Sequence, residues 1–182
     1  MDSVPLVNVL RSNVVESMHR GIIALVDGDG KVISSLGDIS ERTFIRSAAK
    51  PIQALPLVTS GAADRFNLSH RELAVACASP NGEDVHVETV RGMLAKGELN
   101  KSDLACGTHY PYDQEAAHSL IARGIKPSSL HNNCSGKHAG MLLLCRQMGW
   151  DIDGYVEKEH PLQRLMHRLV AELAEMDEDE IG

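Results

Sequence analysis

Apolar and polar positions change rhythm once along this chain. From Val4 to Val9, from Val14 to Val26 and from Lys31 to Leu36 the sequence is rich in β-branched residues, which favour strands. Asp27-Gly28-Asp29-Gly30 interrupts the run. Asp-Gly supplies the positive φ of a tight hairpin, so these stretches read as antiparallel strands. A calcium loop is the competing reading of Asp-Gly-Asp-Gly. It fails because the third acidic position and the Glu that closes such a loop are missing. After residue 46 the spacing becomes helical. Ser47 to Ser60 is apolar at helical spacing but contains Pro51 and Pro56. A proline suits a first turn and damages an interior, so the helix either begins near Lys50 or kinks. Ser69-His70-Arg71-Glu72 is a capping box leading into Leu73 to Cys77. Ser79-Pro80-Asn81-Gly82 ends that helix, and Glu83 to Lys96 forms the next. Asp113 to Arg123 and Gly136 to Met148 follow, closed by Gly124 and Gly149. His160-Pro161 opens a last helix that runs through Glu175. Strands followed by helices predict an α/β class in α+β layers. With strands only in the first 36 residues, the sheet has an edge and a face that need cover.

Composition narrows the functions. At 43% hydrophobic, the 182 residues can bury a core, and with 3% aromatics that core is aliphatic. A net charge of -7 argues against nucleic acid or an anionic membrane as partner. No stretch approaches the roughly 18 apolar residues of a membrane span, and the N-terminus lacks a signal-peptide pattern. A cytoplasmic protein is the expectation. Its four cysteines form no C-x-x-C pair and read as free thiols or metal ligands.

Chemistry concentrates in three places. In Arg46-Ser47-Ala48-Ala49-Lys50, a serine stands three positions before a lysine, one face apart on a helix. A neutral lysine could take the hydroxyl proton and make the serine a nucleophile, as in S-x-x-K acyl-transfer enzymes. A helix-capping serine beside a solvated lysine is the bland alternative. Ser79 is a second hydroxyl, at a helix end where serines commonly bond their own backbone. His131-Asn132-Asn133-Cys134-Ser135-Gly136-Lys137-His138 packs reactive side chains against a helix start. Gly136-Lys137 is not a phosphate loop, because the earlier glycine is absent and His138 replaces Ser/Thr. Cys134 and His138 have the i, i+4 spacing of a zinc pair, which needs further ligands.

Four ordered stretches go further: RSAAKPIQALPLV, ELAVACASPNGEDVHVETVRGML, DLACGTHYP and LHNNCSGKHAGML. Together they resemble the inducible-type bacterial L-asparaginase family, over essentially the whole chain. The resemblance implies a fold like that of serine β-lactamases and glutaminases. It implies hydrolysis of L-asparagine to L-aspartate and ammonia, with a homodimer as an open possibility for assembly. Ser47 and Lys50 match its first Ser-Lys pair and Ser79 the serine of its second. Arg46 and His138 match substrate-pocket residues. Cys134 and Lys137 match two of three zinc ligands. Pro80 stands where the family has histidine. Family chains continue into an Asp-Gly-Cys motif, which carries the third zinc ligand and a substrate-binding aspartate, and then to a second lysine. Residues 1–182 are therefore read as the N-terminal portion of one asparaginase domain. The alternatives are an incomplete small-molecule or zinc-binding module, or a related glutaminase or β-lactamase-like hydrolase.

Overall fold

The computed structural model describes residues 3–181. They fall into two compact units that meet in sequence between Phe44 and Ile45. The mixed α/β class holds, with the strands in the first unit and the helices in the second.

The first unit contains two separate two-stranded antiparallel sheets. β1 (Val4–Arg11) pairs with β2 (Val14–Gly21), and β3 (Ile23–Val26) pairs with β4 (Val32–Leu36). The expected strand from Val14 to Val26 is thus split at Ile22. β1 and β2 join through Ser12-Asn13, with Ser12 at a left-handed φ of 54°. The hairpin at Asp27 forms as its composition dictates. The Asp27 carboxylate accepts the Asp29 and Lys31 amides at 3.0 and 2.9 Å, and Gly30 takes a φ of 80°.

The second unit is helical. α1 (Lys50–Thr59), α2 (Ala62–Arg65), α3 (His70–Cys77) and α4 (Asp84–Lys96) precede α5 (Gln114–Ala122), α6 (Ser135–Met148) and α7 (Pro161–Ala174). α1 starts at Lys50 with Pro51 in its first turn, and Pro56 is carried inside it. Ser69 and Glu72 form the expected capping box at α3, and Glu72 also receives the Lys96 ammonium at 2.6 Å. α2 is too short to have left a periodic signal. α6 is the central element and packs against α1, α3 and α4. Its residues 138–145 are all buried, alongside Leu57, Val75, Val90, Met93, Leu94 and Leu162 from its neighbours. Gly149, at a φ of 69°, ends it.

Candidate active site

Two glycines decide where the reactive segments meet. A Cβ on Gly136 would lie 2.3 Å from the Val75 carbonyl oxygen, so only glycine lets the start of α6 rest on the end of α3. A Cβ on Gly82 would lie 2.8 Å from the His131 carbonyl oxygen, and this residue has a φ of 84°. The loop leaving α3 therefore runs along the segment entering α6. Ser79 sits on the first of these and Asn133-Cys134 on the second.

Lys50 joins them. A 3-10 turn, Arg46–Ala49, hands the chain to α1, and the Lys50 backbone amide donates to the Ser47 carbonyl. The Lys50 side chain is only 3% exposed. Its ammonium donates to Ser79 Oγ at 2.6 Å and to the Asn133 carbonyl at 2.9 Å. A buried lysine is costly unless bonded and tends to lose its proton more easily. Burial lowers the Lys50 pKa below its ordinary value. The neighbouring Cys134 sulfur opposes that shift, and the Lys137 charge adds to it. The net effect is a proton held less tightly than that of a free lysine, the direction a general base requires.

His138 is buried on α6. Its Nδ1 lies 2.6 Å from the Tyr155 hydroxyl, and the rings meet edge to face at 5.6 Å. The Tyr155 oxygen already accepts the Ala105 amide at 2.8 Å, which leaves its proton for His138 Nδ1. Burial, with the Lys137 and Lys50 charges, lowers the His138 pKa to about 4, so the ring is a neutral imidazole at pH 7. Asn132 braces the segment. Its side chain donates to the Cys106 carbonyl at 2.7 Å and accepts the Cys134 amide at 2.8 Å. All four cysteines are free thiols, and burial pushes Cys106 and Cys145 up to about 11.

The structure thus gathers Lys50, Ser79, Cys134, Lys137 and His138. Among the described residues the Lys50 ammonium is bonded to Ser79 and Asn133, and no hydrogen bond joins it to Ser47. Ser47 lies in the 3-10 turn that leads into α1, where residues three apart share a face, and the Lys50 amide donates to its carbonyl. Ser47 is exposed, and its hydroxyl makes no hydrogen bond among the described residues. Arg46 is exposed as well and adopts a left-handed φ of 51°, a strained value of the kind found at functional sites. Cys106, Asn132, Asn133 and Tyr155 are site neighbours that pattern reading passed over. The first three lie inside the DLACGTHYP and LHNNCSGKHAGML stretches, whereas nothing in the sequence around Tyr155 points to it.

Among the described residues, no group of three or more His, Cys, Asp or Glu could hold a metal ion. Cys134 and Lys137 alone fall short of the donors that a zinc site needs.

The family model described as L-asparaginase II matches residues 7–182. This chain belongs to the L-asparaginase II family. The match spans both units, and the Lys50 cluster lies within it. An asparaginase-type enzyme is the family-level reading that it carries. A comparison with curated proteins found no match. Among the described residues of this family member, no helix is long and apolar enough to cross a membrane.

Proposed function

We propose that this L-asparaginase II family member hydrolyses the side-chain amide of L-asparagine through a serine activated by Lys50. The observation that carries the reading is the buried Lys50 amine bonded at 2.6 Å to the Ser79 hydroxyl. Neutral Lys50 is the base. Ser47, whose hydroxyl is open, is the nucleophile, and Ser79 passes protons between the two. The Ser47 oxygen bonds to the carboxamide carbon as its proton moves through Ser79 to Lys50. The C–N bond then breaks, the same proton returns to the departing nitrogen, and ammonia leaves. Water cleaves the aspartyl ester and regenerates the serine. Arg46 offers its planar guanidinium to the substrate α-carboxylate. His138, neutral and fixed by Tyr155, orients polar groups without adding charge.

A second reading exchanges the serines, because Ser79 is the hydroxyl that Lys50 already holds. Acid quenching during turnover of L-asparagine, followed by peptide mapping, separates the two. The expected result is an aspartyl ester on Ser47. An ester on Ser79 exchanges the roles, and ammonia release with no ester on either serine contradicts the mechanism. Zinc is proposed separately, with Cys134 and Lys137 as two of its donors. Metal analysis should then show less zinc in Cys134→Ala than in the unmodified chain, and equal content removes the metal from the account.

A further inference from the structure

His109 belongs to the DLACGTHYP stretch, yet no step of the proposed reaction uses it. It is half-buried in the segment between α4 and α5. Its Nε2 lies 3.2 Å from the Asn133 backbone nitrogen, whose N–H can only donate. Nε2 is therefore the bare nitrogen of the ring, and Nδ1 carries the hydrogen. Nδ1 donates to the Tyr110 carbonyl at 2.6 Å. One tautomer satisfies both nitrogens, and the ring stacks on Tyr112 with centroids 4.7 Å apart.

The residue that His109 holds is the one that holds Lys50. The Asn133 carbonyl accepts the Lys50 ammonium at 2.9 Å. The second Lys50 partner, Ser79, is tied to the same short segment from the other side. The Asp113 amide donates to the Asn81 carbonyl at 3.2 Å. Pro111 packs under Gly82, where a Cβ would be 3.1 Å from the Pro111 Cα. Asp113 in turn caps α5 through the Ala116 amide at 2.8 Å, which anchors the far end. Ser79 is exposed and Asn133 only half-buried, so the hydrophobic core does not hold either one.

We propose that His109 is a positioning residue: with the strap His109–Asp113 it clamps Asn133 and the loop after Ser79, and so keeps Lys50 between its two acceptors. The proposal rests on the reading of Lys50 as the base. Small displacements of a base from its hydroxyl cost large factors in rate, which gives such a clamp its value. A histidine that merely stabilised a loop would change the melting temperature and leave Lys50 as it was.

The test reads Lys50 directly as well as through activity. His109→Phe keeps the stacking surface and removes the acceptor, while His109→Gln puts an amide oxygen within reach of the Asn133 N–H. Each full chain is labelled briefly at neutral pH with an amine-reactive ester, and the modified lysines are counted by mass spectrometry. Exposed Lys126 serves as the internal reference. Loss of one backbone hydrogen bond corresponds to a change of up to about tenfold. Lys50 labelling relative to Lys126 should therefore rise about tenfold in His109→Phe and return most of the way in His109→Gln. With L-asparagine as substrate, kcat should fall by a similar factor in His109→Phe while KM stays within about twofold. Unchanged Lys50 labelling in a cooperatively folded His109→Phe overturns the proposal. If that variant does not fold, His109→Gln decides: protection as in the unmodified chain supports the clamp, and labelling as fast as Lys126 overturns it. Absence of ammonia release from the unmodified chain, with the labelling contrast intact, defeats the reading of Lys50 as an amidohydrolase base and leaves the clamp standing.

Discussion

The strand unit and the helical unit solve the problem of order in opposite ways. Among described residues 3–44 none is buried, and Val14 is 70% exposed although it lies in a paired strand. Backbone ladders and turn chemistry define those hairpins. In the helical unit the apolar residues close around α6, where Leu142 and Leu143 are fully buried. Two-stranded hairpins are marginal on their own, whereas a filled core resists local opening. All of the candidate chemistry lies in the unit with the core. A buried lysine and a buried neutral histidine can be held only where packing excludes water and supplies partners.

That contrast can be broken most forcefully by deletion of side chains. Leu143→Ala should cost the helical unit about 3 kcal/mol or more, as full burial in a packed core implies. Val14→Ala should change stability by less than about 0.5 kcal/mol, as expected of an exposed position. Urea unfolding followed by circular dichroism measures both, and equal losses would erase the distinction between the units.

The buried histidine sharpens it. His138 titrates at about 4 in the folded chain against an ordinary value of 6.5, so the unfolded chain takes up the proton first as pH falls. Its contribution to stability is complete above pH 6.5, is lost as pH falls from 6.5 to about 4, and levels below that. The size of the shift corresponds to about 3 kcal/mol. His138→Gln should remove this part of the acid sensitivity. Unfolding curves at pH 7, 5 and 4 that lose stability in parallel for both proteins would contradict the burial of that ring.

A smaller loss than that at Leu143 or His138 is expected at a helix end. Ser69→Ala removes the cap from α3 and one contact to Glu72, at a cost of about 1 kcal/mol by thermal unfolding. A larger loss would mean that the Glu72–Lys96 pair depends on Ser69 for its placement.

Local chemistry was legible wherever one residue sufficed. Asp27 and Gly30 announced their turn, Ser69 and Glu72 their cap and Gly149 its helix end, whereas Pro51 and Pro56 left open whether α1 begins near Lys50 or kinks, and the structure starts it at Lys50. The Ser12-Asn13 turn was not legible, because no glycine marks the left-handed Ser12. The site was legible as a set of segments but not as contacts. S-x-x-K spacing suggests that Lys50 faces Ser47, and the structure bonds it to Ser79 and Asn133, 29 and 83 positions away. Those partners depend on Gly136 and Gly82 allowing backbones to touch, which no periodicity records. Tyr155 reaches His138 for the same kind of reason, through the packing of a loop beyond α6.

The central claim is that Lys50 serves as the base for amide hydrolysis. Lys50→Met fills a similar volume without a charge, and removal of a buried charge need not destabilise the fold. Ammonia release from L-asparagine, measured for the unmodified chain and for Lys50→Met at equal concentration, tests the claim most directly. The account expects release by the unmodified chain and a loss of about a thousandfold in the variant, within the range for a general base. A cooperatively folded Lys50→Met that releases ammonia within about tenfold of the unmodified chain would contradict it.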